Sequence, residues 1–407
     1  VGNLFCIARR LLQDSDEMGT ASLVESAPLP TARRTLLLAG LSHALHDGYT
    51  DSIYVLLPLW QSEFALGYGA LALLRALNTG TMAALQIPAG RMAARFGGRT
   101  LLALGTAMAA LGYGLAGMSG GLAALAAALA ICGAGSSTQH PLASGAVARS
   151  YGGKARGPLG TYNFAGDLGK AALPALVSLL LVAMSWRHAM EVLALLGIVV
   201  AAAINGYMPK FARAARTAEV PATGAGRSGF ALLFAIGVLD TGVRMGFLMF
   251  LPFLLRGKSA PMPLVGLALA LVFMGGAAGK FIFGWLGARM GLLAVVLMTE
   301  LGTACAIVAV ILLPLSAAML VLPFLGIMLN GTSSVLYGTV PELAAPGRVE
   351  HAFALFYTGT IGSGAVSPIL YGFIGDWAGP GWGAAASASA AVLTCPLALL
   401  LAPRLRA

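Results

Sequence analysis

The sequence predicts an all-α membrane protein of twelve transmembrane helices in two six-helix, pseudo-symmetric halves. Three observations predict it. Of 407 residues, 58% are hydrophobic and only 10% charged, with mean hydropathy +0.85, whereas a soluble domain carries roughly 25% charged residues. Apolar runs long enough to cross a hydrocarbon layer of about 30 Å recur along the whole chain. These runs form two sets around a basic polar stretch, and the second set repeats features of the first.

In order, the first set falls at roughly 35–60, 69–89, 100–118, 121–145, 157–183 and 188–208, and the second at about 229–255, 262–286, 291–313, 317–341, 352–375 and 382–403. The chain therefore divides into an N-terminal extension, 1–34, a first half, 35–208, a linker, 209–228, and a second half with a short tail, 229–407. The apolar piece of the extension, Leu4–Ala8, is too short for a signal-peptide core and precedes its arginines, so the segment reads as cytosolic. Lys210, Arg213, Arg216 and Arg227 make the linker basic.

An even number of spans puts both termini on one side. Of the 25 lysines and arginines, only Arg187, Arg256 and Lys258 fall on the opposite side, and Arg75, Lys170, Arg244 and Lys280 lie inside spans. The rest collect on the terminus side, which predicts cytoplasmic termini. The net charge of +10 is thus an orientation signal rather than a nucleic-acid surface. Cys6, Cys132, Cys305 and Cys395 form no CxxC pair, so neither a disulfide framework nor a zinc site is indicated. No Gly-x-x-x-x-Gly-Lys-Ser/Thr loop is present, which excludes ATP as the expected energy source, and no cofactor motif occurs.

The internal repeat is explicit. Gly90 through Gly97 recurs as Gly284 through Gly291, with Arg95 matched to Arg289, and the same shift carries Pro174 onto Pro368. Asp47 and Asp240 nearly match, as do Asp51 and Arg244. Two parallel repeats with a site at their interface are a transporter architecture.

Candidate site residues begin in the first span. His43, His46, Asp47, Thr50, Asp51 and Tyr54 recur at steps of three and four, forming one polar stripe on a helix. Ionisable groups at membrane depth are costly and usually face a cavity. Asp47 has a histidine one turn earlier and an acid one turn later, so burial and neighbouring charge both act on its proton affinity. Asp47 and Asp51 are the first proton-coupling candidates. His140, whose following Pro141 bends the helix, is the third.

Asp240 and Arg244 are spaced as an intrahelical pair, as are Asp167 and Lys170. Each pair reads either as a structural pin or, for Lys170 and Arg244, as an anion contact. Asn330, Ser333, Ser334 and Tyr337 share a face in the tenth span. Arg75 and Lys280 read as side chains reaching toward the interfaces. Gly275, Gly276 and Gly279 read as close helix packing. No signal accounts for Glu300.

Twelve spans, a basic central linker and the repeated loop resemble the major facilitator superfamily. Gly90, Arg95, Gly97 and Arg99 fit that family's loop between its second and third spans, and Gly284, Arg289 and Gly291 its counterpart. The family's acidic position is Ala94 here and Ala288 in the second half, so the carboxylate latch it supplies is missing twice.

A narrower set is similar to fosmidomycin-resistance-type exporters. It comprises Ser42-His43 with Asp47, Gly135-Ser136-Ser137 with His140-Pro141 and Arg149, Pro341-Glu342-Leu343 through Pro346-Gly347-Arg348, and Gly375-Asp376. His46 stands where that type has asparagine. The resemblance implies gating loops at the glycine–arginine motifs and a cavity lined by spans one, four, seven and ten. It also implies proton-driven export of a small molecule across the bacterial inner membrane by a monomer.

On these grounds the expected substrate contacts are His43, His46, Tyr54, Lys170, Asp240, Arg244, Asn330 and Tyr337, with an anionic or zwitterionic drug or metabolite, such as a siderophore, as cargo. Two other readings compete. His43, His46 and Asp47 share donor types suited to a divalent metal, as in a metal exporter. A membrane enzyme using the His/Asp cluster is the third, though no nucleophile partner is evident.

Overall fold

The computed structural model describes residues 29–211, 229–344 and 349–405. Most of the expected N-terminal extension, most of the linker, and the Pro346-Gly347-Arg348 part of the family motif lie outside the described residues. Every described element is helical. In chain order they are α1 (Leu29–Phe64), α2 (Tyr68–Phe96), α3 (Gly98–Gly117), α4 (Leu122–Ser136), α5 (Gln139–Tyr151), α6 (Arg156–Ala183), α7 (Trp186–Tyr207), α8 (Phe230–Gly257), α9 (Met262–Leu312), α10 (Leu315–Leu343), α11 (Val349–Ala378) and α12 (Pro380–Leu405).

Among the described residues eight segments are long and apolar enough to cross a membrane, with α4, α5 and the short 3-10 turn Gly152–Lys154 counted as one of them. Helices α1, α2 and α11 fall outside that set. In α1 the reason is the polar stripe, which dilutes an otherwise apolar helix.

Two boundaries differ from the runs expected from hydropathy, and both have local causes. The expected fourth span breaks at Ser137 and Thr138, between α4 and α5. Pro141 lies in the first turn of α5, where its missing N–H is tolerated but from which an uninterrupted helix cannot run back. The expected eighth and ninth spans run together as the 51-residue α9, which is two helices meeting at Gly291. Gly291 has φ 78° and ψ 168°. Gly97, its counterpart in the repeat, joins α2 to α3 with φ 83° and ψ 138°. Only glycine enters such conformations freely, so the repeated glycine marks the same sharp reversal twice.

Among the earlier helices α1 packs on α6, and α3 on α4 and α7. Among the later ones α8 packs on α11 and α12, and α9 on α10. Far apart in sequence, α6 meets α9 and α2 meets α11. Small residues set the closest crossings. A β-carbon on Gly169 of α6 would lie 2.0 Å from the Ala44 carbonyl oxygen of α1, and one on Gly166 would strike His43 and Asp47. The expected packing role of Gly275 and Gly279 is met the same way, against the Pro323 and Ile327 carbonyls of α10.

Two polar contacts tie the helix ends away from the termini. Arg187 and Trp186, opening α7, each hold one Glu63 oxygen at 2.6 Å, and the hydrogen bond from Arg187 keeps the Glu63 carboxyl below its usual range. Asp376, near the end of α11, accepts from the Tyr68 N–H and, at 3.0 Å, from the Gly69 N–H. It thereby caps α2 from the other half of the chain.

Candidate functional site

Two features on α1 and α6 bring the site together: the i, i+4 spacing of His43 and Asp47, and the glycine face of α6. The Asp47 carboxylate gathers three basic groups from three helices. His43 Nε2 lies 3.2 Å from Oδ2, Lys170 Nζ of α6 lies 3.2 Å from the same oxygen, and His140 Nε2 of α5 lies 3.7 Å from Oδ1. Asp47 is 9% exposed. At the 3.2 Å of the Lys170 contact, and with an effective dielectric of about 20, opposite unit charges attract with about 5 kcal/mol.

The His43 ring fixes a proton count. Its Nδ1 is 2.9 Å from the Tyr162 carbonyl oxygen, and a carbonyl only accepts, so Nδ1 carries a hydrogen. A neutral His43 therefore turns its Nε2 lone pair toward the Asp47 carboxylate. That contact becomes attractive only when one further proton sits on either group. Tyr162 also stacks on the His43 ring, with centroids 4.2 Å apart, which holds the orientation.

A chain of ion pairs continues from this cluster. Lys170 Nζ is 3.8 Å from Asp167 Oδ1, so the expected Asp167–Lys170 pair is present but long. The tighter partner of Asp167 is Lys280 of α9, whose Nζ donates to Oδ1 at 2.6 Å and Oδ2 at 2.9 Å. Lys280 was expected to reach toward an interface. It instead reaches from α9 to α6, because the two helices pack directly on each other.

These groups open onto a cavity of about 220 Å³ lined by Asp51, Asp167 and Lys170, by Arg244 of α8, by Lys280, and by Asn330 and Tyr337 of α10. Asp167 is already bonded to Lys280, and among the described residues Asp51 has no ion-pair partner. The Arg244 Nη1 donates to Asn330 Oδ1 at 3.3 Å. Asp51 and Arg244, equivalent in the repeat, thus face one space with opposite charge. The resemblance had assigned the lining to spans one, four, seven and ten. Helices α6 and α9, the fifth and eighth spans, supply two of its three cations.

Several expected contacts go elsewhere. His46 is 2% exposed and lies among α1, α3 and α4, with Nε2 3.0 Å from Thr106 Oγ1 and Nδ1 3.0 Å from Ser136 Oγ. The Thr106 hydroxyl donates to the Leu102 carbonyl at 2.8 Å, so His46 Nε2 is the donor to Thr106 and Nδ1 accepts from Ser136. His46 is a packing residue with both nitrogens satisfied, not a cavity group.

Asp240 makes no ion pair with Arg244 among the described residues. Its carboxyl instead neighbours that of Glu300, which accepts from Thr332 at 2.8 Å. Asp240 and Thr332 are thus the polar neighbours of Glu300, for which the sequence offered none. Tyr54 lies under the Arg75 guanidinium, 4.5 Å from ring centroid to Cζ, and both contact Met245 at 3.5 Å. Arg75 is buried, not interfacial.

In the glycine–arginine loops, Arg99 donates to the Met208 carbonyl at 3.4 Å, Arg95 sits over Phe96 and Arg289 over Trp285. Gly90 and Gly284 have open space where a side chain would go.

His43, Asp47 and His140 present ligand-type atoms within 4.8 Å of one another. The triad expected for a metal contained His46, which is absent from it. The Lys170 ammonium already sits on the Asp47 carboxylate, so this arrangement does not favour a second cation.

Comparison with known proteins gives one likeness in sequence and several in fold. Residues 37–232 match the sequence model of the Major Facilitator Superfamily. A bacterial homologue of the human lysosomal transporter Spinster, solved in an inward-facing and occupied conformation, superposes with TM-score 0.79 at 16% identity, covering 93% of this chain and 98% of its own. The first likeness covers the earlier part of the chain, and the second shows a shared fold over nearly all of it.

The peptide transporter POT, in complex with sulfate, gives TM-score 0.74 at 13% identity over 91% of this chain and 95% of its own. A mutant of the nucleoside transporter NupG gives 0.72 at 14% over 92% and 99%. No curated protein sequence matches the chain. These likenesses show that the chain shares its helical fold with those transporters.

Proposed function

We propose that this transporter exports a small anionic or zwitterionic compound across the bacterial inner membrane in exchange for protons, by alternating access. The observation that carries the reading is the His43–Asp47 contact, which is attractive only with an added proton and lies beside cavity cations. Lys170, Lys280 and Arg244 on one cavity wall set suit a carboxylate, phosphonate or hydroxamate better than a lipophilic cation. The cargo is a drug or a native metabolite such as a siderophore, as in the fosmidomycin-resistance type.

On this reading α4 and α5 form one broken span, α9 forms two, and each other helix forms one, giving twelve spans in the halves 35–208 and 229–407. The shared left-handed glycines at 97 and 291 support the repeat. Cytoplasmic termini follow from the lysine and arginine distribution, and the working unit is a monomer that needs no ATP.

The test uses purified protein in liposomes with an imposed pH gradient and a panel of radiolabelled phosphonates, hydroxamate siderophores and lipophilic cations. Gradient-driven movement of an anionic member is the expected result. The variant Asp47→Asn should lose the response to the gradient while still exchanging cargo at equal pH. Wild-type gradient response in Asp47→Asn would remove that carboxylate from the mechanism, and movement of the cations alone would overturn the cargo class.

A further inference from the structure

Arg75 of α2 is 3% exposed, yet among the described residues no carboxylate lies within ion-pair distance of it. A guanidinium stays charged and carries a fork of N–H donors, and a buried charge without a partner is costly. What meets Arg75 instead is weak. Its Nη2 donates to Met245 Sδ at 3.5 Å, the Tyr54 ring centroid lies 4.5 Å from Cζ, and Nε has no hydrogen-bond partner among the described residues. A thioether sulfur is a poor acceptor. The donors are therefore held in place without being satisfied.

Met245 gives these contacts a direction. It follows Arg244 on α8 and lines the 220 Å³ cavity with Arg244 and Asp51. Arg75 is outside that lining, so the Met245 side chain stands between the guanidinium and the cavity. The charges on the two sides do not balance. Lys170 and Lys280 have Asp47 and Asp167 as partners. Asp51 is then the remaining carboxylate of the cavity wall, and both Arg244 and Arg75 are within its electrostatic reach.

We infer that Arg75 and the Tyr54 hydroxyl form a second anion subsite, covered by Met245, which takes a carboxylate or phosphonate group of the cargo when that thioether swings aside. The subsite rests on the anionic-cargo reading above and adds a second guanidinium behind Arg244. Methionine is unbranched and adaptable, so its side chain can leave without moving a helix. One rotamer change frees two donors together, because Tyr54 Oη lies 3.5 Å from the same sulfur. An anionic group entering there accepts two parallel bonds from the guanidinium edge, a geometry that a lysine cannot supply.

The Met245 methyl group reports the exchange directly. Protein with isotopically labelled methionine methyls, held in lipid nanodiscs, is titrated with methylphosphonate at constant ionic strength and followed by nuclear magnetic resonance. Met245→Leu identifies the signal, tetramethylammonium serves as the cationic control, and calorimetry measures binding in parallel. Wild type should give a saturable shift of the Met245 signal with methylphosphonate and none with the cation. Arg75→Gln should abolish the shift. Arg75→Lys, which keeps the charge and loses the fork, should weaken binding by about tenfold. It also carries the test if Arg75→Gln does not fold. Tyr54→Phe, which keeps the ring, should weaken binding by about threefold.

A Met245 shift that saturates unchanged in both Arg75 variants and disappears in Arg244→Ala places the anion on Arg244 alone and overturns the subsite. Binding heat without any Met245 shift in wild type overturns it equally, and both results leave the anionic-cargo reading standing. Neither heat nor shift with methylphosphonate, beside a saturable response to tetramethylammonium, overturns that reading and the subsite with it.

Discussion

Asp47 and Arg244 show how far single residues could be read before any fold was known. The spacing of His43, Asp47 and Asp51 announced a polar helix face, and Asp47 and Asp51 do face basic groups or the cavity. His140 was legible as a titrating group but its contact with Asp47 was not, because helix periodicity carries no information between helices. His46 shared the stripe and still turned away. It lies one residue from Asp47, and a step of one rotates the side chain by about 100° around the helix, here from α6 toward α3 and α4.

Asp240 and Arg244 had the right spacing for a pair, yet a partner on another helix won for each. Glu300 is the polar neighbour of Asp240, and Asn330 holds the guanidinium at the cavity wall. Arg244→Ala should therefore weaken binding of anionic cargo by about tenfold or more, equivalent to about 1.4 kcal/mol or more, while neutral analogues change little. Competitive binding of paired anionic and neutral compounds to purified protein measures this. Equal loss for both would mark the arginine as a packing element.

Among the elements, α1 and α6 were located by hydropathy and by their ion pairs, but their contact was not. It depends on Gly166 and Gly169, which read in sequence as ordinary small residues of a membrane helix. Their absence of side chains lets His43 and Asp47 come within reach of Lys170. Gly169→Ala places a methyl group 2.0 Å from the Ala44 carbonyl. Backbone cannot move aside as a flexible side chain does, so the substitution should destabilise the protein by about 1–3 kcal/mol.

A lowered midpoint in detergent thermal unfolding, with Gly160→Ala as the control, tests the effect; a β-carbon on Gly160 meets nothing. Helix breaks were only partly legible. Pro141 predicted a bend, whereas the join at Gly291 was expected as a loop and is instead a reversal within one continuous segment.

For the whole molecule, the internal repeat was the most informative sequence signal. It anticipated that Gly97 and Gly291 would do the same work and that Asp51 and Arg244 would oppose one another in charge. It could not anticipate contacts made between the halves, since each half repeats only its own packing. Lys280 on Asp167 and Asp376 on α2 are both of that kind, and both were missed. The twice-missing acid at Ala94 and Ala288 left the control of opening unassigned. On the face away from the termini, the Asp376 carboxylate in the first turn of α2 supplies an acid–helix contact of the same physical type.

That cap gives the molecule a built-in clock. Tyr68 and Gly69 have no acceptor within their own helix, as is true of any first turn, and they depend on a carboxylate from 300 residues away in the chain. Any rearrangement that parts α2 from α11 must hand those two amides to water and later take them back. Their deuterium uptake should therefore count openings, rising when transport is driven and falling when the protein is held shut. Asp376→Asn should raise uptake at both amides severalfold with little change in the middle of α2. An uptake rate indifferent to that substitution would mean that α2 and α11 stay together throughout the cycle.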